Sequence, residues 1–205
     1  MTPLAATGKR EQTKAANRTA ILDAARVVFS QIGYGAATVR DIVRETDLAT
    51  GTFYNYFPDK ESVLHALLDE AASDIRSRVR AARTASRTVE EFVEGSYRAY
   101  YGYLVADPET FELMRRNAGT IRSMFDEPAL GAGIDELRED LEAAIASGVL
   151  PEHDVDFMAS AMVGAGFEVA VRMLERDPHD VDEAVAFITR LFLAGLAAAA
   201  QLPPT

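Results

Sequence analysis

Between residues 37 and 63 the chain reads "ATVRDIVRETDLATGTFYNYFPDKESV". Thr52 brings a methyl and a hydroxyl there, Asn55 an amide that both donates and accepts, and Tyr54 and Tyr56 two phenols. No nucleophile with a base beside it stands among them, so the chemistry on offer is recognition. An amide can pair at two points with an adenine edge, and a Thr methyl suits the methyl of thymine. At 100° per residue, Phe53 and Phe57 fall on one side of a helix and point inward. Gly51, Thr52 and Asn55 then face outward, with Tyr54 and Tyr56 on the two flanks. Gly51 has no side chain to hold the backbone away from a partner. The Tyr hydroxyls and Lys60 stand where a phosphate backbone would border a groove.

The neighbouring sequence must hold that ridge in place. Thr38 with Asp41 three residues on predicts a capping box, with Asp in the place of Glu, and Ile42 and Val43 supply the buried side of the helix it opens. That helix ends near Thr46 and Asp47. A very short helix follows over Thr50 to Phe57. Pro58 suits the first position of a fourth helix, whose opening turn carries Asp59 and Glu61. Val63, Leu64, Leu67, Leu68, Ala71, Ile75 and Val79 give that helix its apolar stripe. Upstream, Ile21, Ala24, Ala25, Val28 and Ile32 mark a first helix stopped by Gly33. Two helices joined by a three- or four-residue turn, the second short and polar on one side, make a helix-turn-helix over residues 38–57.

Composition fits a chain with two unlike parts. The net charge of −11 argues against a nucleic-acid partner until it is divided. Residues 1–87 hold 13 Lys/Arg and 10 Asp/Glu, whereas residues 88–205 hold 8 and 22. A mildly basic head can approach phosphates while an acidic body stays in solution. Cysteine is absent, which excludes disulfides and thiolate metal sites. The start, "MTPLAATGKREQTK", lacks the apolar centre of a secretory signal, and no run reaches eighteen uninterrupted apolar residues. The expectation is a cytoplasmic protein with no membrane partner.

"RTAILDAARVVFSQIGYGAATVRDIVRETDLATGTFYNYFPDKESVLHALL" resembles the N-terminal domain of the TetR family of bacterial one-component transcriptional regulators. The resemblance covers roughly residues 15–75, and "GTFYNYFPDKE" and "ILDAARVVFSQIGYGAATV" are its most specific parts. It implies an all-helical homodimer whose first three helices bind DNA and whose remainder binds a ligand and the partner subunit. By position it places Thr38, Arg40, Thr50, Thr52, Tyr54, Tyr56 and Lys60 at DNA. Two residues depart from the family pattern. Asp47 replaces the usual turn Gly, and is expected to tolerate the left-handed conformation. Ala49 replaces the usual capping Ser, and Thr50 is the expected substitute one residue later. Residues 1–14 read as a flexible basic arm, and Lys9, Arg10, Lys14 and Arg18 either reach phosphates or the minor groove or belong to a disordered, solvated end.

The rest of the chain reads as helices with no sheet, about nine in all, with a domain boundary near residues 84–88 and a body over residues 85–205. Thr88 and Glu91 open a helix carrying Phe92, Tyr97, Tyr100, Tyr101 and Leu104, and Pro108 restarts the chain in a helix holding Phe111 and Met114. Residues 117–133 look irregular. Ile134, Leu137, Leu141 and Ile145 mark a helix stopped by Gly148, and two long apolar helices cover about 154–175 and 181–200, the second capped by Asp180 with Glu183. Phe157, Ala161 and Ala165 on one, with Phe187, Leu191, Ala194 and Ala198 on the other, are the candidate dimer face. Gly164, Gly166 and Gly195 would let backbones approach closely. An isologous pairing relates two ridges by a twofold axis, hence a palindromic operator.

A ligand pocket is expected between residues 92 and 175, where Met and aromatic side chains suit an adaptable apolar cavity. Its candidates are Tyr97, Tyr100, Tyr101, Phe111, Met114, Met124, Phe125, Met162 and Phe167. The implied effector is small and lipophilic. Against an enzyme stand the scattered His65, His153 and His179, the missing metal-ligand spacing and the absence of a phosphate-cradling Gly-rich loop. No cofactor is implied. The reading is a DNA-binding repressor with a double-stranded operator, a second copy of itself and a small effector as partners. The alternative is a ligand-binding or scaffolding helical dimer without DNA binding.

Overall fold

The computed structural model describes residues 4–124 and 128–199, and among them there is no strand. Ten helices follow in order: α1 (Leu4–Ile32), α2 (Val39–Arg44), α3 (Thr50–Phe53), α4 (Lys60–Ala85), α5 (Val89–Ala106), α6 (Pro108–Arg116), α7 (Ala118–Arg122), α8 (Pro128–Ala146), α9 (Val155–Leu174) and α10 (Val181–Ala199). The stretch expected to be irregular holds α7 and the start of α8. Pro128 can open a helix because the first position needs no N–H donor. Within the segment read as an arm, residues 4–14 form the opening turns of the 29-residue α1.

The chain divides into two compact units. The first, here the head, comprises Met1–Ala71 with Glu109–Arg122, and the second, the body, comprises Ala72–Pro108 with Ser123–Thr205. Sequence reasoning had no means of assigning α6 and α7 to the head. In the head, Ile21, Ala25 and Phe29 of α1 close on Ile42 of α2, Phe53 and Val63, all fully buried. Gly33 ends α1 at φ +79°, a conformation a Cβ would strain.

Three local expectations are corrected. Asp47 does not adopt the left-handed conformation, since among the described residues only Gly33 and Gly148 have positive φ. The turn is instead tied by Thr46, whose hydroxyl donates to Val43 O at 2.9 Å and accepts from Leu48 N–H at 3.2 Å. Pro58 does not open α4. Asp59 precedes that helix and accepts from both the N–H and the hydroxyl of Ser62 at 2.8 Å, and these bonds hold its carboxyl below the usual range. Nor does Thr50 take over as cap: it is the first helical residue of α3, and Ala49 is the N-cap with no side-chain bond.

Lys60 has a clear structural task. Its ammonium donates to Tyr34 O at 2.7 Å and Ala37 O at 2.8 Å, and it lies 4.4 Å from the centre of the Tyr34 ring. It thereby closes the carbonyls of the loop between α1 and α2.

In the body, α5 packs against α9 and α10, and α8 against α9. Tyr101, Leu104, Ala159, Ala170 and Ile188 are fully buried there. Gly166 serves a side chain rather than a backbone: a Cβ built on it would come within 2.9 Å of Tyr97 Cε1. The Tyr97 ring is fixed from two other directions. Its hydroxyl donates to Met162 O at 2.9 Å, and its face stacks on Phe192 at 6.1 Å. Gly164 and Gly195 have nothing within 4 Å of such a Cβ.

Replacing Gly166 with Ala should overpack this site and lower unfolding stability by about 1–3 kcal/mol, read from the midpoint of a urea titration. Replacing Lys60 with Met keeps the stem and removes the charge. Its expected cost is about 1–2 kcal/mol, the lower part of the range for bonds to a charged donor because the side chain is half exposed.

Candidate nucleic-acid interface

A helix of four residues gains almost nothing from its own hydrogen bonds, so α3 depends on what lies beneath it. Phe53 is fully buried and Phe57 nearly so, their rings 6.2 Å apart. Thr52 N–H donates to Ala49 O at 2.8 Å, and Phe53 N–H to the same oxygen at 3.3 Å. With its underside pinned in this way, the turn presents Thr50, Gly51, Tyr54 and Asn55 to solvent, and Thr52 and Tyr56 half-exposed. A Cβ on Gly51 would meet nothing within 4 Å. Tyr54 packs edge-on against Phe53 at 5.4 Å yet keeps 55% of its surface exposed, so its ring is braced while its hydroxyl stays outside.

The second candidate element is the start of α2. Thr38 is its N-cap: its hydroxyl accepts from Asp41 N–H at 3.2 Å and donates to Asp41 Oδ2 at 2.6 Å. Thr38 N–H donates to the same carboxylate at 3.0 Å, completing the capping box. The side-chain bond from Thr38, and then its backbone bond, hold the Asp41 carboxyl below its ordinary range. Thr38 and Arg40 are both exposed. Lys60 is distinguished from the other candidates because the loop carbonyls of Tyr34 and Ala37 already occupy its ammonium. Tyr56 is tethered too, its hydroxyl accepting from Asn17 Nδ2 at 3.1 Å.

One buried side chain that sequence reasoning passed over organises the far end of α1. Asn117 is 5% exposed and directly follows α6. Its Oδ1 accepts from Tyr34 N–H at 2.7 Å, and its Nδ2 donates to Leu113 O at 2.7 Å and Phe29 O at 3.3 Å. Nothing in a lone Asn after a helix signals partners more than eighty positions away.

The effector candidates separate into two groups. Tyr97, Tyr100 and Tyr101 cluster in the body, with ring centres 5.8 and 5.6 Å apart. Met124 and Met162 are buried in the same unit, and Phe167 is half-buried. Phe111 and Met114 belong to the head instead, and Phe125 lies outside the described residues. Burial pushes all three tyrosine hydroxyls upward, so they stay protonated. Tyr101 is fully buried, and its hydroxyl has no hydrogen-bond partner among the described residues. A groove of about 580 Å³ along α4, lined by Ser73, Arg76, Ser77 and Arg80 among others, includes none of these candidates.

The candidate dimer residues line up on an open surface. Phe157 is 76% exposed, Phe187 53% and Leu191 50%, with Ala161, Ala194 and Ala198 also exposed and Ala165 half-buried. Helix α9 is long and apolar enough, by length and composition, to cross a membrane, but only 28% of its apolar window is buried within the chain. The same helix carries Asp156, Glu168 and Arg172.

Residues 21–67 match the family model described as bacterial regulatory proteins, tetR family. The chain is 34% identical over 90 residues to the HTH-type transcriptional repressor KstR2 of Rhodococcus jostii, a match that spans 42% of this chain and 44% of that protein. It is 31% identical over 134 residues to the HTH-type transcriptional repressor Rv1474c of Mycobacterium tuberculosis, spanning 65% of each. The matched region is thus under two thirds of either repressor's length. Among solved structures, the fatty acid degradation regulator FadR of Bacillus halodurans superposes with a TM-score of 0.74 at 25% identity, over 85% of this chain and 93% of that one. FadR of Bacillus subtilis, solved with stearoyl-CoA, superposes with a TM-score of 0.76 at 23% identity, over 86% and 98%. Over residues 21–67 the chain is thus similar to the tetR family of bacterial regulatory proteins.

Proposed function

We propose that the chain is a transcriptional repressor that binds a palindromic operator as a homodimer and releases it when a small lipophilic effector enters the body. The observation that carries this reading is the polar ridge of α3 and the turn after it, with Thr50, Gly51, Tyr54 and Asn55 exposed and Thr52 half-exposed while the buried Phe53 anchors it. Thr52 and Asn55 would read base edges in a major groove, while Thr38, Arg40, Tyr54 and Tyr56 would meet the phosphates beside it. The site of action would be the cytoplasm. A scaffold without DNA binding has no use for such a ridge, which makes it the weaker reading.

The open surface of α9 and α10 supports the second copy. Phe157 and Leu191 leave large apolar areas in water within one chain, and a symmetric partner would cover them. Twofold pairing sets two ridges at successive major grooves, about 34 Å apart. An effector can move that spacing only by its difference in affinity for two arrangements of the dimer. The tyrosine cluster supports an effector with a polar end on an apolar stem: the buried Tyr101 hydroxyl is suited to donate to a carbonyl or carboxylate. The acyl thioester bound by the Bacillus subtilis neighbour is of that kind.

Selection from a random duplex library by the purified protein should yield an inverted repeat. Asn55→Ala should then lose sequence selection while leaving the thermal melt and the dimer intact; retained selection would remove Asn55 from the base-reading face. Separately, the double change Phe157→Asp and Leu191→Asp should give a folded monomer in sedimentation velocity, with the repeat no longer bound tightly. A stable dimer in that variant would place the interface elsewhere.

A further inference from the structure

The charge of the head is unevenly placed. Beyond residue 20 the head, residues 21–71 and 109–122, holds seven Lys/Arg and ten Asp/Glu, so the helix-turn-helix and its supports carry a net charge of −3. The whole positive excess sits in residues 1–20, with four Lys/Arg and one Glu. Affinity for duplex DNA draws heavily on the neutralisation of phosphates. A helix-turn-helix without a positive excess of its own must draw that attraction from a neighbouring element.

Helix α1 supplies a place for it. Ile21, Ala24, Ala25 and Val28 form its buried stripe against the head. Lys14 and Arg10 lie seven and eleven residues before Ile21, which at 100° per residue puts both within about 20° of it. The direction that is apolar against the head therefore becomes cationic beyond it. Every residue from Arg10 to Ala16 is exposed, so these turns run past the end of the packed core. The last tie before them is the bond from Asn17 to the Tyr56 hydroxyl, at the flank of the recognition ridge. Arg18 is spent beside it, on Glu70 at 3.2 Å and over the Phe57 ring at 5.5 Å. Lys14 stands one turn beyond Asn17 and Arg10 two turns, a rise of about 10 Å.

Neither Arg10 nor Lys14 has an ion-pair partner among the described residues. Like charges four residues apart repel on a helix, so the arrangement works against helix stability and suits an anionic partner.

We propose that Arg10 and Lys14 form a phosphate clamp, an extension of the recognition ridge along α1 that grips two backbone phosphates next to the groove α3 enters. The clamp rests on the reading of the chain as a DNA-binding regulator. It reads no base, and adds affinity equally to every sequence.

The test compares the full-length protein with the double variant Arg10→Gln and Lys14→Gln, which keeps helix propensity. Arg172→Gln in the body controls for net charge. Binding is followed by fluorescence anisotropy over a series of KCl concentrations, on a duplex the wild type selects from a random library and on a scrambled duplex of equal length. The clamp predicts a salt slope shallower by about 2 in the double variant. It predicts an equal fold loss on both duplexes, an unchanged preference ratio, and no change with Arg172→Gln. An unaltered slope overturns it, as does a loss confined to the selected duplex or an equal loss with Arg172→Gln. In each of those cases wild-type selection survives and the repressor reading stands. A wild type that selects no sequence removes that reading and the clamp together.

Discussion

Four residues of helix cannot hold their own shape in water, and the nucleus of a helix costs more than one turn returns. In this chain the ridge from Thr50 to Phe53 also lacks a side-chain cap, because Ala49 has no oxygen to offer its first amides. What fixes it is the burial of Phe53 and Phe57 against the core of the head. Everything assigned to the outward side chains depends on that anchorage. On the proposed reading Asn55 and Thr52 would need a rigid backbone, and the buried Phe53 and Phe57 supply the anchorage.

The features legible in the sequence are those decided within a few residues. The cap of α2 by Thr38 and Asp41, the cap of α10 by Asp180 and the stop at Gly33 each need only their near neighbours, and each occurs where the local pattern puts it. The inward pair Phe53 and Phe57 follows from period alone. What stayed hidden depends on distant partners. Lys60 looks like a surface cation until the carbonyls of Tyr34 and Ala37 fold onto it. Gly166 looks like a backbone contact until the Tyr97 ring takes the space. Pro58 fits a helix start on its own merits, and loses that place because Asp59 makes a stronger cap.

The body follows a different logic. Its helices are apolar on more than one side, so the chain alone cannot hide all of them. Tyr97 and Tyr101 close the inside of the body, while Phe157, Phe187 and Leu191 remain in water. The acidic surplus of this half suits such a surface, since mutual repulsion discourages indiscriminate association.

Asn117 bears on how freely such a chain can be rearranged. Two of its three bonds, to Phe29 and Tyr34, stitch the end of α1 and the loop after it to a segment that enters the sequence more than eighty positions later. A gene cut after the fourth helix would therefore not yield a self-sufficient reading head. The Tyr34 amide and the Phe29 carbonyl would lose their Asn117 partner, and the cover of α6 would go with it. Modular transplantation of this domain onto a foreign sensor would have to carry the later segment along, because the reading unit is discontinuous in the gene although it is continuous in space.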